Sequence, residues 1–565
     1  MDIQRILLIL GLAITGYLMV LKWNEDYGEK NVDHQPPVEL AADNIALPQT
    51  GTTSSQGDEI PTHTPAETKQ EAKPAGAPKA AASEASVNRK MLVVVKTNVL
   101  DVVIDLNGGD IVRAALPGYP EKITTPDVPY LLIDPRNHYA AQSGLIGKDG
   151  TDTAKGRPLF SVSQDSYTMK KGEDELVVDL HDTTSSGVEI TKRFVFKRGD
   201  YLIGVDYIID NKSSSPFTAA MFGQIKRDSQ TPIESDVRGM RLRPFTGGAT
   251  FTKDSPYEKL KFDNIAEHSY QDTVKGGYMA MVQHYFVSAW VPEADETHTF
   301  TARKLAGRDI YLFGFTTPSW TVEPGKTYME KASFYVGPKK QYRLKAISPG
   351  LNLTVDYGFL WWLAEPLFWL LTFIHGVVSN WGVSIILLTM VVKAVLYPLS
   401  ATSLRSMAKM RRLQPEMARL RERYGDDRQQ FSQAMMELYK KEGANPLGGC
   451  LPMLLQMPVF LALYWTLMES VELRHSPFIL WIHDLSAMDP YFVLPILMGG
   501  SMFLNQLMQP EPPDPIQAKV FKFMPIMFTF FFLWFPSGLV LYWLVNNLLS
   551  VLQQWYVTRQ VEKAA

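Results

Sequence analysis

Lys393 sits inside an apolar run, Trp381–Leu399, about seven residues, roughly 10 Å of helix, from its end. A lysine at the middle of a bilayer costs ~2.5–3.5 kcal/mol or more, so the face that carries it belongs against a watery cavity. Thr389, Lys393, Tyr397 and Ser400 fall at i, i+4, i+8 and i+11 and would share one face of a continuous helix. In the last apolar run, Gly538–Val557, the residues Tyr542, Asn546, Ser550 and Gln553 repeat that spacing, with Asn547 beside them. Gln456, Asn505 and Gln506 add polarity to two further runs. No Asp or Glu in these runs can pair with Lys393. A cation without a fixed partner, on a polar stripe, suits attraction of a mobile anionic group. The plainer alternative is an ammonium that snorkels to the headgroups.

Other chemistries find less support. Ser406-Met407-Ala408-Lys409 has the SxxK spacing of acyl-serine enzymes but no SDN or KTG partner. An intramembrane Ser–Lys hydrolase would pair Lys393 with Ser384, which is off its face, or with Ser400, near the headgroups. His138, His181, His268, His284 and His298 lack ligand spacing, and there is no GxSxG, Walker A or GxGxxG motif. The single cysteine, Cys450, excludes an intramolecular disulfide, a Cys-based zinc site and a CxxC pair. We expect no catalytic residue, no metal and no cofactor.

The elements that position these residues follow from composition. The 565 residues carry 56 Lys plus Arg against 59 Asp plus Glu, a net charge of −3, so any basic partner surface is local. Ile6–Leu21 is an apolar run followed by bulky residues rather than a small-x-small cleavage site, which predicts an uncleaved anchor over 1–22. Residues 23–88 are rich in proline and acidic side chains. No aromatic occurs between Gly28 and Ser86, so a disordered tether is expected. Period-two alternation then begins. Leu100, Val102, Ile104 and Leu106 alternate with Val99, Asp101, Val103 and Asp105 before Asn107-Gly108-Gly109, and Thr191–Phe196 and Tyr201–Ile209 flank Lys197-Arg198-Gly199-Asp200. This predicts an all-β domain of two packed sheets over 89–345.

After residue 350 the chain is apolar. Residues 350–378 contain Glu365, Pro366, His375 and three Trp, and read as an amphipathic helix lying on the bilayer. Trp381–Leu399, Cys450–Met468, Pro490–Met508, Phe523–Phe535 and Gly538–Val557 read as five spans within 380–558, making six with the anchor. The loop 401–447 has ten Lys/Arg and six acidic residues, which places it in the cytoplasm and the β domain outside, in a bacterial periplasm. The loop 509–519 and the tail 559–565 are then cytoplasmic too, as is the N-terminus. Within 401–447, apolar residues recur at three and four, Gly425 stops one helix, and Asp426 or Asp427 caps the next. Met407, Met410, Met417 and Met435 of this basic hairpin serve either as packing or as an adaptable surface for apolar segments.

Six stretches, in order, carry a resemblance: Ser406-Met407-Ala408-Lys409-Met410-Arg411, Leu413-Gln414-Pro415, Asn445-Pro446-Leu447-Gly448-Gly449-Cys450, Gln456-Met457-Pro458, Trp481-Ile482-His483-Asp484-Leu485 and Phe531–Leu539. With the anchor, tether and β domain before them, the chain resembles the YidC-type membrane protein insertases of Gram-negative bacteria (the YidC/Oxa/Alb family). The resemblance implies a polytopic α-helical membrane protein whose five-helix core encloses a hydrophilic groove, open to cytoplasm and lipid, with a periplasmic β-supersandwich. It implies that a positive residue in the groove receives the hydrophilic tail of an inserting protein. The family commonly has Arg there, and Lys393 keeps the charge without the planar fork. Thr389, Tyr542 and Trp543 match positions near the substrate path, Trp543 standing where a second aromatic hydroxyl is often found. Implied partners are nascent inner-membrane proteins, SecYEG, SecDF, the ribosome, the signal-recognition-particle receptor and membrane lipid. The expected function is insertion and chaperoned folding of inner-membrane proteins, alone or beside the Sec translocon. A small-solute transporter, the rival from another class, would show inverted repeats, and none is detectable.

Overall fold

A computed structural model describes residues 59–61, 91–230, 244–252, 254–424, 427–442, 451–509 and 515–563. The expected anchor over 1–22, most of the tether over 23–88, Gly425, Asp426 and the Asn445–Cys450 motif lie outside the described residues.

Strands between Leu92 and Pro338 form an eleven-stranded and an eight-stranded sheet. Pairing is antiparallel apart from the short Leu92–Lys96 and Ser166–Thr168 pair. The alternation seen in the sequence becomes burial. Leu100, Val102, Ile104 and Leu106 are all buried, and Gly108 and Gly109 supply the positive φ that the following turn demands. Val188–Lys197 pairs with Leu202–Asn211 around the expected turn, in the register Val188↔Asn211 to Phe196↔Ile203. One face of that hairpin, Ile190, Phe194, Phe196, Ile203, Val205, Tyr207 and Ile209, enters the core shared by the two sheets. Each such side chain contributes about 1.5–3 kcal/mol of burial.

Eight helices follow in the C-terminal part of the described chain: α1 Trp361–Val378, α2 Trp381–Val395, α3 Tyr397–Tyr424, α4 Arg428–Lys441, α5 Leu451–Glu469, α6 Val493–Leu507, α7 Pro515–Phe532 and α8 Ser537–Lys563. Over their described residues, the five runs expected as spans each fall on a helix. The loop expected over 509–519 is already helical from Pro515, and α8 runs through most of the expected tail.

Two elements differ from what periodicity suggests. Among the described residues, Gly358–Val378 is the one helix long and apolar enough, by length and composition, to cross a membrane. It buries Ala364, Leu367, Phe368 and Leu371 but leaves Trp361, Trp362, Trp369, Phe373 and Val377 exposed, so its outer face is apolar rather than polar. The second difference is a 69° bend between α2 and α3. Pro398 causes it: the ring has no N–H to give, crowds the carbonyl four residues back and disfavours helical geometry at Tyr397. The continuous face expected for Thr389, Lys393, Tyr397 and Ser400 is therefore broken after Val395.

The sandwich is fastened to the helices by buried polar contacts. Lys339 Nζ lies 2.7 Å from Glu469 Oε2 at the end of α5 and donates to the Thr354 carbonyl at 3.0 Å. His284 Nε2 is 2.9 Å from the Met468 carbonyl. Arg474 donates to the carbonyls of Pro120 and Glu121 while lying over the rings of Tyr130 and Phe286. The α7–α8 turn is closed from the same loop region, with the N–H groups of Ser537 and Gly538 on the Ala487 and Leu485 carbonyls.

Candidate functional site

Beside the bend after Val395, helices α2, α3, α5, α6, α7 and α8 border a partly open cavity of about 450 Å³. Each helix gives it a polar side chain or an apolar wall. Lys393 comes from α2; Ser400, Leu404, Met407 and Met410 from α3; Gln456, Met457 and Phe460 from α5. α6 adds Met502, Asn505 and Gln506, and α7 adds Phe521, Met524 and Pro525. α8 supplies the polar stripe Tyr542, Asn546, Asn547, Ser550, Gln553 and Gln554, with Trp543 beside it.

The polar groups cross-brace the wall. Lys393 Nζ donates to Ser550 Oγ at 2.7 Å, and Ser550 Oγ donates in turn to the Asn546 carbonyl at 2.8 Å. The amides of Gln456 and Asn546 are paired at 3.3 Å, Asn547 donates to Ser501 Oγ at 3.1 Å, and Gln554 donates to the Met508 carbonyl at 2.7 Å. No carboxylate lies within ion-pair distance of Lys393 among the described residues. Trp543 is set by Phe460 at 4.5 Å and by Phe528 and Phe532, and its buried indole N–H finds no acceptor.

Of the residues singled out in the sequence, the cavity gathers Lys393, Ser400, Gln456, Asn505, Tyr542, Trp543, Asn546, Met407 and Met410. Thr389 is buried in α2 with its hydroxyl on the Ile385 carbonyl and does not line the cavity. Tyr397 lies beyond the bend and does not line it either. Met417 and Met435 are taken up between α3 and α4: the Tyr439 hydroxyl donates to Met417 Sδ at 3.8 Å, and Met435 is buried. Met436, by contrast, is 67% exposed. Sequence reasoning placed Ser550 on the polar stripe without making it a partner of Lys393. Their meeting follows from α2 packing against α8, which spacing within either run does not record.

The chain thus combines a large β sandwich with a bundle of helices that leave apolar side chains on their outside and hold a polar cavity carrying one lysine. Family models agree across both halves: residues 92–370 match the YidC periplasmic domain, and residues 373–564 match the 60Kd inner membrane protein. The membrane protein insertase YidC of Cellvibrio japonicus is 52% identical over 567 residues, covering 100% of this chain and 99% of that protein. Its namesakes in Stutzerimonas stutzeri and Pseudomonas aeruginosa are 50% and 48% identical, each covering 100% of both chains. A crystal structure of active YidC insertase with its first transmembrane domain resolved is 19% identical and covers 83% of this chain and 93% of that one, with a TM-score of 0.38. The chain belongs to the YidC family of membrane protein insertases, inner-membrane proteins with a periplasmic domain.

Proposed function

We propose that this insertase moves short polar segments of inner-membrane proteins through the cavity around Lys393 while their apolar helices partition into lipid. The observation that carries this reading is a lysine in a polar cavity, held by a hydroxyl and unopposed by a carboxylate among the described residues. A substrate helix that exchanges water for lipid gains about 25 cal/mol per Å² of apolar surface. The cavity lowers the cost for the polar tail, and an acidic tail gains attraction to Lys393. A negative tail moving outward also gains about 2.3 kcal/mol per charge per 100 mV of membrane potential.

The topology that fits this use has six spans, with both termini and the α3–α4 hairpin in the cytoplasm and the sandwich in the periplasm. α1 then lies at the interface, its exposed apolar face turned to lipid. SecYEG, SecDF, the ribosome and the signal-recognition-particle receptor are the partners this arrangement suits. The test is reconstitution in liposomes with a short acidic-tailed membrane protein, which should become protease-protected at its tail without any added nucleotide. The Lys393–Ser550 contact is also what a Ser–Lys hydrolase would need. Ser550→Ala separates the two readings, since it abolishes a hydrolase but leaves insertion standing.

A further inference from the structure

The outer face of the larger sheet holds a piece of the chain's own tether. Within the stretch between the anchor run and the first strand, Glu59-Ile60-Pro61 is described, and Glu59 and Ile60 are each only 9% exposed. They lie on two neighbouring strands, Ala140–Ile146 and Phe217–Arg227, paired in the register Ala220↔Ile146, Phe222↔Gly144 and Gln224↔Gln142. Side chains two apart on a strand share a face. Ala220, Phe222, Gln224 and Lys226 therefore form one stripe, passing from apolar through amide to cation.

The tether residues match that stripe in order. Ile60 packs in a cluster with Ile146, Ala220 and Phe222. The carbonyl of Glu59 accepts from Gln224 Nε2 at 2.9 Å, and Lys226 Nζ lies 2.5 Å from Glu59 Oε1. Gln224 is not free to turn. The same nitrogen donates to Gln142 Oε1 at 2.9 Å, Gln142 Nε2 donates to Asp110 Oδ2 at 3.0 Å, and Asp110 is paired with Arg157, which also holds Asp152. A buried network thus fixes the donor that meets the Glu59 backbone. A backbone contact, a charge contact and an apolar contact, made by two consecutive residues, give recognition with a direction along the chain. Period-two patterning explains why the stripe exists on this strand and the cross-strand Gln142 accounts for the amide, but among the described residues the ion pair of Lys226 is made to Glu59 and not within the sheet.

We propose that this face is a recognition site for an acidic–aliphatic segment and that Glu59-Ile60-Pro61 is its occupant, a clip that fastens the tether to the β domain in cis. The clip divides the connection into residues 22–58 on the anchor side and 62–90 on the side of the first strand. This holds whether or not the proposed insertion route is correct.

The test uses the full chain in nanodiscs, with Cys450→Ser as background. Maleimide labelling at Ile60→Cys should be at least tenfold slower than at Lys171→Cys, which lies in an exposed turn. Lys226→Glu should raise the rate at Ile60→Cys by several-fold, and Glu59→Lys added to Lys226→Glu should bring it back down. A benzophenone side chain in place of Pro61 should crosslink to peptides containing Ile146 or Phe222. Labelling at Ile60→Cys as fast as at Lys171→Cys, a rate indifferent to Lys226→Glu, or crosslinks only to lipid or to other regions would each overturn the proposal.

Discussion

Lys393 on α2 and Ser550 on α8 meet at 2.7 Å inside the polar cavity, and the hydroxyl donates its own hydrogen bond to the Asn546 carbonyl. The cation is thus positioned by a neutral group. A fixed carboxylate would cancel its field, whereas a hydroxyl orients it and leaves the charge available. On the proposed route an incoming carboxylate would replace Ser550 as acceptor and place an opposite charge on the ammonium, so that both partners of the bond are ionised.

Removing that cation should discriminate between substrates. Lys393→Ala is expected to slow insertion of acidic-tailed substrates about tenfold, the equivalent of the ~1.5 kcal/mol at the lower end for a hydrogen bond to a charged group. Neutral tails should change little, and Lys393→Arg should retain function because the charge is kept. Protease protection of paired acidic and neutral substrates in proteoliposomes measures this. Normal insertion of every acidic tail by Lys393→Ala would refute the role.

The junction between sandwich and helices sets up a second expectation. Lys339 and Glu469 are 2% and 6% exposed at their side chains. Loss of one member of such a pair costs ~3–5 kcal/mol, because the other is left charged and buried. Lys339→Met should therefore lower the unfolding temperature of the full chain clearly more than Lys339→Met combined with Glu469→Leu. A core lacking 91–320 keeps both residues and every cavity side chain, and should still insert protein. It loses the contacts to Arg474 and Met468, so its thermal stability should fall while insertion persists. A membrane-integrated core without any insertion would give the β domain a direct part in the process.

The strands were legible because alternation is local: Leu100 to Leu106 and the Val188–Asn211 hairpin needed only a face to bury. The polar stripe of α8 was legible for the same reason. The face assigned to α2 failed at Tyr397 because spacing was followed through a Tyr-Pro dipeptide that ends a helix. The methionines were read as one surface, yet packing divides them: Met407 and Met410 reach the cavity, while Met417 and Met435 are consumed between α3 and α4. The partner of Lys393 and the seat of Glu59 depend on residues 157 and 167 positions away, a separation that local pattern does not record.

Inside the sandwich, pH should report on Lys192. Its ammonium is fully buried, donates to the Gly108 and Ser143 carbonyls and lies over the rings of Phe194 and Tyr207. Burial pushes its pKa down to about 7 from 10.5, against a smaller upward pull from Asp110. The unfolded chain therefore binds the proton more tightly than the folded one. Stability contributed by this group is lowest below pH ~7 and rises toward pH 10.5, by at most about 1.4 kcal/mol per pH unit. Thermal melts should show that rise in the parent and a shallower one in Lys192→Met. Arg157→Met should be far more damaging, by ~3–5 kcal/mol, because it strands Asp110 and Asp152 without their shared cation. Equal pH slopes in parent and Lys192→Met would mean that the buried lysine keeps its ordinary affinity for protons.

The hairpin gives the last test. Met407 and Met410 pack with Leu404, Leu413 and Val557 and at the same time line the cavity; on the proposed topology they stand where an apolar segment arriving from the cytoplasm would first meet it. Changing both to Leu keeps the apolar area and should cost less than ~1.5 kcal/mol, with insertion near the parent's. Changing both to Ser keeps every charge but removes the apolar wall, and substrate capture should fall several-fold. Because Ser also loosens the packing against α8, Met436→Ser provides the comparison: that side chain is exposed, outside the cavity, and should leave capture unchanged. Photo-crosslinking from a ribosome-bound substrate should then reach probes at 407 and 410 but not at 417 or 435, where α3 and α4 cover each other. If crosslinks appear at 436 and not at 407, or if the Ser pair captures substrate like the parent, the cavity-facing methionines are packing alone. The hairpin's work would then be electrostatic, holding it to anionic lipid at ~1 kcal/mol per basic residue near the surface.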